Sequence, residues 1–104
     1  MSTYFVAFRI ASKTVNGKTY DERREAVANA VYEGSNGYWD EMTSFFIVGS
    51  SLSTETFAKK ASVGLSKADD LLIVFDPEDM SLGHFGNFKH ENELKSFFTS
   101  AIKV

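Results

Sequence analysis

Three β-forming runs, Thr3 to Ile10, Thr43 to Ser50 and Leu71 to Phe75, carry apolar side chains at both odd and even positions. Successive side chains of a strand point to opposite faces, so a run that is apolar on both belongs to a strand covered twice. In the first run Tyr4, Val6, Phe8 and Ile10 share one face, and Thr3, Phe5, Ala7 and Arg9 share the other. In the second, Phe45 and Ile47 oppose Phe46 and Val48. The third, LLIVF, is bounded by Asp69-Asp70 before and Asp76-Pro77 after, and proline ends its ladder. A sheet built from such strands needs helices on one side and a further layer or a second subunit on the other.

The segments between the runs supply the helices. Thr19 and Glu22 form a capping-box pattern that opens a helix from about Tyr20 to Glu33. Val27, Ala30 and Val31 fall on its inward stripe, with Arg23, Arg24, Glu25 and Asn29 expected on the wet side. Gly34 suits the left-handed position after the helix. Tyr38 to Glu41 reads as a short edge strand. Ser53 caps a second helix, with Leu52 and Phe57 at the spacing of a hydrophobic staple. Ser81 to Phe88 reads as a short strand or an irregular arm. From about His90 to Lys103, Leu94, Phe97, Phe98, Ala101 and Ile102 recur at helical spacing and predict an amphipathic helix. This order predicts an α/β (α+β) chain: a ferredoxin-like βαββαβ sandwich with an antiparallel sheet, plus a β-like arm and a C-terminal helix. It is read as a single domain, residues 1–104, with its core at about 3–76 and the arm and helix at about 81–103.

The chain has 104 residues, of which ten are phenylalanine and none is cysteine, so bulky core material is plentiful and neither disulfides nor thiolate metal sites are available. A net charge of −3 gives no global attraction to phosphate backbones. The first apolar run is too short, and too interrupted by Arg9, for a signal peptide. A cytoplasmic chain with no membrane partner and no cofactor is expected.

The succession YFVAFRIAS, an arginine-bearing helix, TSFFIV after a glycine-containing turn, a second helix, ADDLLIVFD and a β-like arm resembles the small ferredoxin-like subunits of the CRISPR adaptation and VapD-type toxin group. It is most similar to the stand-alone SinR-like relatives, in which a tryptophan precedes the serine-aromatic strand, as Trp39 precedes Ser44-Phe45-Phe46. The resemblance covers about Thr3 to Phe88 and implies a homodimer. It also implies metal-dependent nuclease chemistry resting on an aspartate near the end of the first strand. Arg9 holds that position here, and a guanidinium neither binds a divalent metal nor acts as a base at neutral pH. The implied role is therefore a binding or scaffold protein without catalysis.

Several residue groups are candidates for sites. Arg9 is expected near the start of the Leu71 strand, with Asp69 or Asp70 as a structural ion-pair partner or, functionally, an anion across a dimer seam. Arg9, Lys13, Lys18, Arg23 and Arg24 concentrate basic charge and form the candidate anion or nucleic-acid surface, or else a solvated loop. Tyr38, Trp39, Phe45 and Phe46 are the candidate interface, with an edge strand for another chain to pair. Asp76, Glu78, Asp79, His84 and His90 match no recognised metal loop, and no metal is expected. No Ser-His-Asp constellation has support, so no catalytic residue is assigned. The leading expectation is a non-catalytic homodimeric binding or scaffold protein. The alternatives are a nuclease with acidic ligands moved to Asp69, Asp70 or Asp76, and a small-ligand regulatory module.

Overall fold

The computed structural model describes residues 1–104 and contains six strands and three helices in one mixed sheet. β1 (Ser2–Arg9) is followed by α1 (Tyr20–Val31), a 3-10 turn (Gly34–Asn36), β2 (Tyr38–Met42), β3 (Phe45–Ser50), α2 (Thr54–Ser62) and β4 (Leu71–Asp76). β5 (Ser81–Phe85), α3 (Glu91–Ser96) and β6 (Ser100–Lys103) complete the chain. The sheet order is β2-β3-β1-β4-β5-β6. Every pair is antiparallel except β5 with β6, which run parallel. No helix is long and apolar enough to cross a membrane.

The period of two sorts the sheet as the sequence requires. Tyr4, Val6, Phe8, Phe46, Val48, Leu72 and Val74 point to one face and are buried under Val27 and Val31 of α1 and Phe57, Ala58 and Ala61 of α2. Tyr4 stacks on Phe57 with ring centres 4.6 Å apart, and its hydroxyl donates to the Leu52 carbonyl at 2.6 Å. α2 presses so closely on β5 that a β-carbon at Gly83 would collide with that of Ala58. The helix starts are those the sequence marks. Thr19 N–H donates to Glu22 Oε1 at 3.0 Å and Glu22 N–H to Thr19 Oγ1 at 3.1 Å, while Thr56 N–H donates to Ser53 Oγ at 3.3 Å.

The C-terminal third departs from expectation. Instead of a helix through Lys103, α3 ends at Ser96 and the chain turns into β6. The expected arm is an interior strand, β5, and the expected antiparallel sheet is mixed because β6 joins it in parallel. The physical reason is the free edge of β5, whose backbone groups need partners beside the buried Leu82 and His84. The chain end supplies them: Thr99 N–H donates to the Met80 carbonyl at 3.0 Å and Val104 N–H to the His84 carbonyl at 2.9 Å. Thr99 Oγ1 also donates to the Asp79 carbonyl at 2.6 Å, competing with any continuation of the helix.

A second correction concerns Arg23, expected on the wet side of α1 but only 1% exposed. It stands one turn before Val27 and two before Val31, on the same buried stripe. Its Nε donates to Asp70 Oδ2 at 3.1 Å, its Nη1 to the carbonyls of Lys13 and Lys18 at 2.9 and 2.7 Å, and its Nη2 to that of Ala11 at 2.7 Å. Asp70 further accepts from the N–H groups of Ala11 at 3.0 Å and Ser66 at 2.9 Å. One buried pair thus joins the β1–α1 loop, α1, the loop after α2 and the start of β4. Asp70→Asn, which leaves Arg23 buried without its counter-charge, is expected to lower unfolding stability by about 3 to 5 kcal/mol in urea titration. A loss below about 1 kcal/mol, the scale of an exposed pair, would refute this role.

Candidate interaction face and groove

The odd positions of β1 and β3 face away from α1 and α2. Trp39, Ile47, Phe5 and Phe75 lie in one row across β2, β3, β1 and β4, and Phe45, Ala7 and Ile73 form the next. Phe5 meets Phe45 and Phe75 edge to face at 5.6 and 5.2 Å, a geometry favoured by aromatic quadrupoles. The α3 segment covers only the β4–β5 side of this face. There Phe98 packs on Phe75 at 5.3 Å and Phe88 on the His84 ring at 6.0 Å. Over β2, β3 and β1 the apolar side chains remain partly open, with Trp39 37% and Met42 54% exposed.

The four expected interface residues therefore divide. Trp39 and Phe45 belong to the open face, whereas Phe46 is fully buried beneath the helices. Tyr38 also sits on the helix side, its ring 5.4 Å from Tyr32 and 5.8 Å from Phe46. Partial burial, with the Asp40 carboxylate beside it, pushes the Tyr38 hydroxyl pKa up to about 12. Alternation explains the division: neighbours in a strand cannot share a face. The edge itself is poorly suited to pairing, because β2 carries a register shift between Trp39 and Met42 and the exposed Asp40 and Glu41.

The basic residues also part company. Lys13 pairs with Asp69 at 3.1 Å, Arg23 is buried on Asp70, and Lys18 is exposed. Arg24 lies over the Phe46 ring at 5.3 Å and donates from Nε to the Thr43 carbonyl at 2.8 Å, holding the β2–β3 turn. Arg9 was expected to pair with Asp69 or Asp70, and the structure corrects this. Leu71 is in register with Arg9, so the preceding residue, Asp70, points to the opposite face of the sheet, toward Arg23. Arg9 makes no ion pair or side-chain hydrogen bond. It is exposed and, with Ala7, Phe8, Leu71, Leu72, Ile73, Phe88 and Leu94, borders an open, largely apolar groove of about 220 Å³.

No three of the histidine, aspartate and glutamate side chains converge on a common point. Asp76 and Asp79 shape the β4–β5 turn, accepting from the N–H groups of Glu78 at 2.8 Å and Ser81 at 2.9 Å. Hydrogen bonds from Ser81 hold the Asp79 carboxyl pKa below its usual value. Asp70, just before β4, and Asp76, at its end, are roughly 19 to 20 Å apart at the ordinary strand rise, too far to share a metal. His90 is exposed, 3.6 Å from Glu93.

His84 is the polar group whose burial the sequence does not announce. It is 1% exposed on the second face, and its Nδ1 has no hydrogen-bond partner, with Glu91 Oε1 3.7 Å away. Burial is the largest influence and lowers its pKa; Glu91 opposes that, while Lys95 and Lys103 reinforce it. A folded-state pKa below the unfolded value of about 6.5 means that the unfolded chain binds the proton first as pH falls. The His84 contribution to stability is thus complete above that pH and declines below it, toward the lowered folded value. Melting temperature should fall between about pH 7.5 and 5.5, and His84→Gln should flatten the slope while His90→Gln leaves it. Compared with known proteins, the chain matches no family model, no curated protein and no solved structure.

Proposed function

We propose that this chain is a non-catalytic binding or scaffold protein that self-associates through the uncovered face of its sheet. The observation that carries this reading is the pair of apolar rows, Trp39, Ile47, Phe5, Phe75 and Phe45, Ala7, Ile73, which α3 leaves partly open. A contiguous apolar patch of this kind on a small chain favours association. A two-fold arrangement would present the same patch from both copies. Face packing suits the molecule better than edge pairing, given the irregular, acidic β2.

The ferredoxin-like assignment belongs to the same proposal. It is supported by the chain order β1-α1-β2-β3-α2-β4, the antiparallel run β2-β3-β1-β4 and the placement of α1 and α2 on one face. Kinship with the CRISPR adaptation and VapD-type group rests on that order of elements. Arg9 at the strand end and the dispersal of Asp69, Asp70 and Asp76 favour a role without nuclease chemistry. A cytoplasmic setting suits a chain without cysteine.

Light scattering coupled to size exclusion at micromolar concentration should return twice the chain mass. Phe45→Glu and Trp39→Glu should each give the monomer with a cooperative melt retained, because both side chains are partly open in the single subunit. A wild-type monomer throughout the micromolar range would sink the self-association reading.

A further inference from the structure

We propose that residues 86–98, the segment that carries α3, form a strap that lifts off the second sheet face when His84 takes up a proton, while the sheet itself stays paired. The opening is a property of the single chain and does not depend on self-association.

The strap is fastened at both ends. At its start Gly86, at φ 102°, lies so close to the Asp70 carbonyl that a β-carbon would collide with it. At its end Thr99 N–H donates to the Met80 carbonyl at 3.0 Å, and β6 pairs with β5. Between these points the hold is slight. No residue from 87 to 99 is buried, and only Phe88, Glu91, Leu94 and Phe98 are half-buried. The start of α3 receives no side-chain cap, and six residues are too few for a helix to persist without support. Segments with few buried apolar contacts are the ones that open locally at low cost. Yet beneath this thin cover His84 is only 1% exposed.

That histidine makes closure conditional on pH. Its ring meets Phe88 at 6.0 Å, and its Nδ1 has no hydrogen-bond partner. A neutral imidazole already forgoes one hydrogen bond there, and an imidazolium held out of water would also need a counter-charge. The charged groups facing it are Glu91 and Lys95 of α3 and Lys103 of β6, while its register partner on β4, Ile73, offers none. Glu91 Oε1 stands 3.7 Å away and is shared with Lys103 at 3.5 Å, and the two lysines oppose a third positive charge. Burial outweighs Glu91 and lowers the His84 pKa, so the open strap, in which the ring is hydrated, takes up the proton first. Acid therefore shifts the balance toward opening. Phe98 then leaves Phe75, and the row Trp39, Ile47, Phe5, Phe75 lies uncovered along its whole length.

Amide hydrogen exchange followed by NMR on the full chain, corrected for the intrinsic effect of pH, tests this. The reporters are Leu94 and Phe98, whose N–H groups donate within the strap to His90 and Lys95. Their exchange should be unchanged by 1 M urea, whereas that of the β1 and β3 amides should rise at least about fivefold, as for whole-chain unfolding. Between about pH 7.5 and 5.5 strap protection should fall several-fold, with a ceiling of about tenfold set by the free histidine pKa. His84→Gln should abolish that fall, and Glu91→Gln, which removes the nearby carboxylate, should bring it closer to the ceiling. A strap that responds to urea as β1 does opens only with the whole chain and overturns the proposal. So would a fall that survives His84→Gln, a smaller fall in Glu91→Gln, protection independent of pH, or protection that rises in acid because the imidazolium pairs with Glu91.

Discussion

The buried pair between Arg23 and Asp70 is the constraint on which the arrangement of the remaining elements depends. Two charges withdrawn from water are tolerable only if nearly every donor and acceptor finds a partner. The Arg23 guanidinium reaches three backbone carbonyls as well as the carboxylate, and Asp70 collects two backbone N–H groups in addition. Those backbone groups come from the connection after β1 and the loop after α2, so the pair sets where both loops run. It also fixes α1 against the start of β4. The consequence for function is indirect: with Asp70 committed inward and Asp69 held by Lys13, Arg9 is left with no acidic partner on its own face.

β1 transmits that arrangement across the sheet. It pairs on both sides, with β3 and β4, and presents Tyr4, Val6 and Phe8 to the helices and Phe5, Ala7 and Arg9 to the second face. A strand held along both edges is a rigid platform, and rigid elements place binding groups more exactly than loops do. The aromatic contacts from Phe45 through Phe5 and Phe75 to Phe98 continue this platform to the α3 segment. The groove lies where the covered and open parts of the face meet, bordered by β1, β4 and α3.

Much of this was legible from residue order. The alternation in YFVAFRI and FFIV gave strands with two apolar faces, Thr19 with Glu22 gave the start of α1, and Ser53 gave the start of α2. Asn and Gly tolerate positive φ better than other residues, and Asn16 and Gly17 adopt it at 51° and 77° in the turn between the bridged Val15 and Lys18. Arg23 was misread because charge outweighed position: its four-residue spacing from Val27 and eight from Val31 already placed it on the buried stripe. Asp69-Asp70 was the available hint of a counter-charge. The Tyr38, Trp39, Phe45 and Phe46 grouping divides between the two faces of the sheet, because it did not apply the alternation that the same strands obey.

The amino-acid sequence by itself determined which segments become β1 to β4, α1 and α2, and which side chains share a face, because period, caps and turn residues act over a few neighbours. Only the tertiary structure decided that the last residues leave a helical pattern for β6, since the free edge of β5 is a demand made by a strand distant in the chain. It alone buried His84 beneath α3 and assigned Asp70 to Arg23 rather than Arg9. Those outcomes depend on which elements become neighbours in space, and local residue preference does not encode that distance.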